Sequence, residues 1–175
     1  MNAVTTAAAP AGEGLAARVA KLAQVIGAPH FAAADRVALK RYAPGQALPL
    51  AFYRTWLRHF GDELPGEAEI RSWGLIAWGL AYSGPRAHRR ERALGAALAA
   101  SGYSEARLER LLAAEPETQA DLFASMVRFL ASKGEAFDWV DAARLLLTRD
   151  PDRQEATHRR IAVAYYRQPS SHPED

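Results

Sequence analysis

Arginine carries most of the chemical potential of this sequence. Of its 22 basic residues all but Lys21, Lys40 and Lys133 are arginine, whose planar guanidinium suits flat, bidentate contact with phosphate. Their placement says more than the net charge of +2. Arg36, Lys40, Arg41, Arg54 and Arg58 occupy a stretch from residue 36 to 60 that holds no acid. Arg86, Arg89, Arg90 and Arg92 are opposed within their run only by Glu91, and Arg153, Arg159, Arg160 and Arg167 only by Glu155. The acids collect elsewhere, at Asp62, Glu63, Glu67 and Glu69. A basic face on a nearly neutral chain is the footprint of a phosphate-binding surface. A solvated face that keeps the protein in solution is the other reading, and a GC-rich genome would also favour arginine over lysine.

Other chemistry finds little support. The chain has no cysteine, which removes disulfides, thiolate zinc sites and a cysteine nucleophile together. No two of His30, His59, His88, His158 and His172 stand at the i, i+4 spacing of a helical zinc site. There is no GxSxG, P-loop or GxGxxG sequence. Glu67 and Glu69 point to different sides of a helix, and Asp138 and Asp141 fit a helix cap and first turn, where the macrodipole favours acids. No catalytic, metal-binding or cofactor-binding residue is nominated, and no small-molecule substrate is implied.

The elements that must position the arginines are helices. Apolar residues make up 49% of the chain and charged ones 24%, which excludes wholesale disorder. The apolar runs repeat at three and four residues rather than two, with Gly and Pro between them. This predicts an all-α protein of about nine helices. They run near 13–26, near 34–42 opened by Asp35 or the residues just before it, Leu50–Phe60, 67–82, and through Leu94, Ala97 and Leu98 to a stop at Ser101-Gly102. Beyond it Ser104 caps a short helix through Leu108, Leu111 and Leu112, and Pro116 opens 117–132. Asp138 caps 139–148, and Asp150-Pro151 begins the last helix, to about Arg167. Short connections should make neighbours antiparallel. A break near 101–104 divides the chain into two packed helical bundles, 13–101 and 102–168, between flexible tails at 1–12 and 169–175.

Aromatic residues have two readings. Trp56, Trp73, Trp78 and Trp139 could stack on unpaired bases, but three of them lie in register with aliphatic residues and read as core. Trp78 falls off the stripe of Ile70, Trp73, Ala77 and Leu80. The adjacent Tyr165 and Tyr166 face two directions, so one ring should be exposed. The longest uncharged run, Ser72 to Pro85, is too short to span a bilayer as a helix. No basic residue precedes Arg18 and no continuous apolar segment opens the chain, so a secretory signal is not expected. A soluble, cytoplasmic protein without a membrane partner is.

The order of these features resembles the CasB family, the small subunit of the type I-E CRISPR surveillance complex Cascade. The resemblance runs from about residue 36 to 167. It is carried by Leu39-Lys40-Arg41, Ala51-Phe52-Tyr53-Arg54, the tryptophan-bearing helix at 67–82 and Leu94-Gly95-Ala96-Ala97-Leu98. Ser104-Glu105-Ala106-Arg107, Leu111-Leu112, Met126-Val127-Arg128-Phe129-Leu130, Asp138-Trp139 and Ala164-Tyr165-Tyr166 continue it. What the resemblance implies is a non-catalytic two-part helical bundle. Two copies would lie against the backbone and large subunits of Cascade, near guide RNA and target DNA, and stabilise the R-loop, both displaced and target strands. It carries the family's basic positions onto Lys40, Arg41, Arg107, Arg128 and Arg144. Arg107 is single where some members have a pair, and Val127 stands where a second basic residue is common, so those contacts are either weaker here or replaced by Arg110 and Arg153. Charge clustering adds Arg54, Arg58, Arg86, Arg89 and Arg90 to the nucleic-acid-binding candidates.

Two other functions stay open on the residues alone. A stand-alone DNA-binding regulator would need a helix-turn-helix, for which Ala99–Leu112 around Gly102 is the nearest segment. A helical protein-interaction adaptor would use its apolar faces and leave the arginines as solvated edges.

Overall fold

Helix ends in this chain are set by proline, glycine and two aspartates. The computed structural model describes residues 11–61 and 63–169. Among them are nine helices: α1 Ala11–Gly27, α2 Ala33–Lys40, α3 Leu50–Phe60, α4 Glu67–Ser83, α5 Leu94–Ala100, α6 Glu105–Ala113, α7 Pro116–Ser132, α8 Trp139–Leu147 and α9 Pro151–Tyr166. No strand occurs among the described residues, only one isolated bridge between His88 and Phe137. The fold is all-α. Asp138 accepts the Val140 N–H at 3.0 Å and Asp150 the Arg153 N–H at 3.0 Å, so both are true side-chain caps. Ser104 holds the cap position of α6, but its hydroxyl makes no capping bond. α2 opens on the residues just before Asp35: Ala32 is its cap and Asp35 lies in the first turn. Most of the expected tails, 1–10 and 170–175, lie outside the described residues.

The architecture is organised around α4. Every residue from Trp73 to Ala81 is buried, and α1, α2, α7 and α8 pack against this one helix. The sequence stripe of Ile70, Trp73, Ala77 and Leu80 is therefore too narrow, because a helix surrounded by neighbours buries all its faces. Small residues make room for them. Gly79 lies under the Trp139 ring of α8, where a Cβ would stand 2.8 Å from Cζ3. The Trp139 indole in turn donates to the Ala87 carbonyl at 3.1 Å, the partner a buried tryptophan requires. Trp56 of α3 stacks on Phe60, meets Trp73 edge-on at 5.1 Å, and donates to the Glu63 carbonyl at 3.1 Å.

Two further contacts join the sequence halves, beyond the packing of α7 and α8 on α4. Gly95 of α5 lets α9 approach so closely that a Cβ would run into the Ile161 carbonyl oxygen and come within 2.7 Å of the Tyr165 nitrogen. The arginine-rich segment after α4 is pinned to the α7–α8 connection. Phe137 N–H donates to Ala87 O at 3.2 Å, Arg89 N–H to Phe137 O at 2.9 Å, and Asp138 N–H to Arg92 O at 2.7 Å. Buried apolar side chains form one continuous cluster from Val19 to Ile161.

Candidate nucleic-acid interface

Most cations of the sequence fall into four settings, and the setting decides what each charge is free to do. In the first, at the end of α2, Leu39 is buried and anchors the exposed Lys40 and Arg41 beside the core. Lys40 closes the helix and Arg41 is its C-cap, so both also complement the negative end of the macrodipole. Nearby, Arg54 of α3 is held by Asp35, its Nε 3.4 Å from Oδ2, with a second, shorter bond from the guanidinium to Oδ1. The acid-free run in the sequence begins one residue after the carboxylate that neutralises Arg54. Arg58 is exposed and shares a cavity of about 410 Å³ with His30, Phe31 and His59. The His59 imidazole is pushed below its usual value by burial, and then by Arg58, Lys21 and His30. All three neighbours act in the same direction, as they must in a positive field.

The second setting is the pinned segment between α4 and α5. Arg86, Arg89 and Arg90 are exposed, while Arg92 reaches Glu135 at 3.5 Å. His88 anchors the segment from below. Its Nδ1 accepts the Trp139 N–H at 3.2 Å, so the ring is neutral there, and burial lowers its pKa. The backbone carrying these arginines is thus fixed.

The third setting spans α6, α7 and α4. The Arg107 guanidinium lies 4.7 Å from the Tyr103 ring centre and 5.1 Å from that of Phe129. Lys133 stands 5.7 Å from Phe129 on α7. One residue along, Arg128 lies 5.1 Å over the ring of Trp78, and Trp78 contacts Tyr82 at 5.4 Å. Among the described residues, none of these three cations has a carboxylate oxygen within 4 Å. Arg110, on the same helix as Arg107, is exposed. It lies close enough to Tyr103 to oppose, with Arg107, the rise in phenol pKa that burial causes. Trp78, off the stripe in sequence, is fully buried beneath Arg128.

The fourth setting is different in kind. Asp141 on α8 is 1% exposed. It accepts the Leu94 N–H at 3.2 Å and lies 3.0 Å from Arg160 Nε and 3.5 Å from Arg144. Burial raises its pKa, and the Leu94 N–H and Arg160 hold the rise in check. Arg144 is therefore tied to a buried carboxylate. Both arginines border an open groove of about 960 Å³ walled by α1, α4, α8 and α9, which Arg18, Arg149 and Arg153 also line, together with Glu69 and Asp150. Arg18 and Arg149 stand outside the charge runs of the sequence. Arg153 and Arg160, seven apart and so on one face of α9, are a readable signal that the runs alone do not turn into a site.

Tyr165 and Tyr166 divide as expected. Tyr165 is partly buried and donates to the Tyr103 carbonyl at 2.6 Å. Tyr166 is 60% exposed and bonded to Glu105, which helps push its phenol up to about 12. The candidate helix-turn-helix segment buries Leu108 and Leu111 of α6. Among the described residues no group of three or more His, Asp or Glu is arranged to hold a metal, and no helix is long and apolar enough to cross a membrane.

Residues 35–166, from the first turn of α2 to the last residue of α9, match the family of CRISPR-associated protein Cse2. The chain belongs to the Cse2 family. It is thus a structural small subunit of a type I-E Cascade complex, in company with other Cascade subunits. No individual curated protein and no solved structure matches it. Within this Cse2 chain, all the cations of the first three settings except Lys21 lie inside the matched segment, whereas Arg18 on α1 lies outside it.

Proposed function

We propose that this Cse2 chain stabilises the R-loop of its Cascade complex, gripping the phosphates of the displaced and target strands while guide RNA reads the target. Its partners in this reading are the backbone and large subunits, a second copy of itself, guide RNA and target DNA, all in the cytoplasm. It does no chemistry of its own. The observation that carries the proposal is the third setting: Arg107, Arg128 and Lys133 lie on aromatic rings and have no carboxylate partner among the described residues. A cation held in place but not neutralised costs little to order when a phosphate arrives, and that is what a binding site needs. Lys40 and Arg41 on α2, and Arg86, Arg89 and Arg90 after α4, extend the reading to surfaces that present cations on fixed backbone.

The role suits the energetics. R-loop formation exchanges one duplex for another of similar stability, so a few backbone contacts decide its direction. Phosphate contacts carry no base information, and the grip should ignore sequence. Reconstituting Cascade with the Lys40→Glu/Arg41→Glu variant and measuring target-DNA binding by gel shift at two salt concentrations tests the proposal. Weaker binding with normal assembly is the expected result, most marked on short or mismatched targets. Wild-type affinity at both salts would mean these two residues are only a solvated face, and loss of assembly would place them in a protein interface. Incubation of the isolated chain with DNA and Mg²⁺ or Mn²⁺ should give no cleavage.

A further inference from the structure

Tyr82 is the one member of the α4–α7 cation and aromatic band that the phosphate grip does not use. It lies on the last turn of α4 and is 41% exposed, directly after the run from Trp73 to Ala81 in which every residue is buried. Its ring is 5.4 Å from that of Trp78 with an interplanar angle of 31°. Trp78 is covered by the Arg128 guanidinium at 5.1 Å. Arg128 is followed by Phe129, which carries Arg107 at 5.1 Å and Lys133 at 5.7 Å. Two groups of cations and rings thus meet at neighbouring positions of α7: Arg107 and Lys133 on Phe129, and Arg128 on Trp78, with Tyr82 against Trp78. Trp78 is buried beneath its cation and Phe129 is partly buried beside two, while Tyr82 is the exposed ring of the group.

That combination has a specific chemistry. Single-stranded nucleic acid is held by basic tracks that follow the phosphates and by aromatic side chains on which unpaired bases stack, without regard to base identity. A duplex has no free base face to offer. We infer that Tyr82 stacks on an unpaired base of a strand whose phosphates lie on Arg128, Arg107 and Lys133, so that this face selects single strands over duplex. The inference rests on the nucleic-acid reading above and refines it: the cations supply affinity, and Tyr82 supplies the choice of strand state. Arg128, over the ring that Tyr82 packs against, would hold a phosphate of the same strand.

The test uses the full-length chain with three probes: a mixed-sequence single strand, its duplex, and an abasic strand of the same length, each titrated at two salt concentrations. Tyr82→Leu should weaken single-strand binding by about 5- to 150-fold, the range of one base–aromatic stack, and leave duplex and abasic binding unchanged. Tyr82→Phe should restore single-strand binding, since it keeps the ring and loses only the hydroxyl. A 2-aminopurine in the strand should be quenched by the wild type and by Tyr82→Phe and not by Tyr82→Leu, a signature that a purely structural role would not move. Circular dichroism should show all three proteins equally folded. Wild-type single-strand affinity in Tyr82→Leu, with ordinary salt dependence, would overturn the stacking role and leave the phosphate-binding reading standing. Equal losses on all three probes would also overturn it, by showing that Tyr82 supports the cations instead. A wild-type chain that binds none of the probes at low salt would overturn the nucleic-acid reading and this inference with it.

Discussion

The arginines around Asp141 and those around Phe129 and Trp78 look alike in the sequence and differ in what surrounds them. Arg144 and Arg160 converge on one buried carboxylate: Arg160 joins α9 to α8, Arg144 closes an i,i+3 pair within α8, and the same carboxylate ties in the start of α5 through Leu94. Arg107 and Arg128 rest on aromatic rings, which orient a guanidinium without cancelling its charge. The first pair is committed to the fold. The second is available to a partner. Helical position and residue type are shared, so the difference lies in the counter-charge, which for Arg144 comes from one turn back on its own helix and for Arg160 from another helix.

The comparison can be broken at its strongest point first. Asp141→Ala should cost about 3 kcal/mol in a chemical-denaturation curve, the lower end for breaking a buried ion pair, because Arg160 is more than half exposed and water can take up its charge. Asp141→Asn keeps an acceptor for Leu94 N–H and should recover part of that loss. A cost below about 0.5 kcal/mol, the ordinary surface range, would place Asp141 among incidental contacts. Gly95→Ala comes next, at about 1–3 kcal/mol, since the added methyl meets backbone of α9 that cannot rotate away; an unchanged melting temperature would mean that α5 and α9 slide freely. Reversing Arg107 and Arg128 to Glu should move stability by only about 1 kcal/mol, through removal of the guanidinium–ring packing, while weakening nucleic-acid binding. The smallest effect concerns His88. Burial lowers its pKa, with Arg90 acting the same way and Asp138 and Glu91 opposing. The unfolded chain then takes up this proton more readily than the folded one. The His88 contribution to stability is therefore present above the ordinary value of 6.5 and lost as pH falls through it toward the lower folded value. Melting curves at pH 7.5 and 5.5 should show a smaller acid-induced drop for His88→Asn than for the wild type. His59 and His158, also lowered, keep the drop from vanishing. An identical drop in both proteins would mean that His88 titrates alike in the folded and unfolded chain.

What the sequence makes legible follows the range of the interaction. Helix existence and ends rest on local signals: Asp138, Asp150-Pro151 and Pro116 mark starts that the structure reproduces within a residue or so. The burial of α4 is less legible, because a one-face stripe assumes one neighbouring layer and α4 has four helices around it. Trp78 is off the stripe for that reason and buried for the same one. Ser104 shows that a good capping residue at the right position need not make its bond. The cations are the hardest to read. Arg54 is paired through Asp35, nineteen residues away, and Arg160 through Asp141, pairings that no charge run along the chain can display. The rings beneath Arg107 and Arg128 come from α4, α7 and the connection before α6, so the third setting exists only in the folded chain.

Cations held on rings without carboxylate partners should be the ones that engage nucleic acid. The direct measurement is the salt dependence of target-DNA affinity for Cascade reconstituted with the Arg107→Glu/Arg128→Glu chain. The predicted result is normal assembly, weaker binding, and a log–log salt slope shallower by about 1.4, at about 0.7 for each phosphate of a single strand that is no longer neutralised. A variant complex that assembles normally and keeps both the affinity and the slope of the wild type would contradict it.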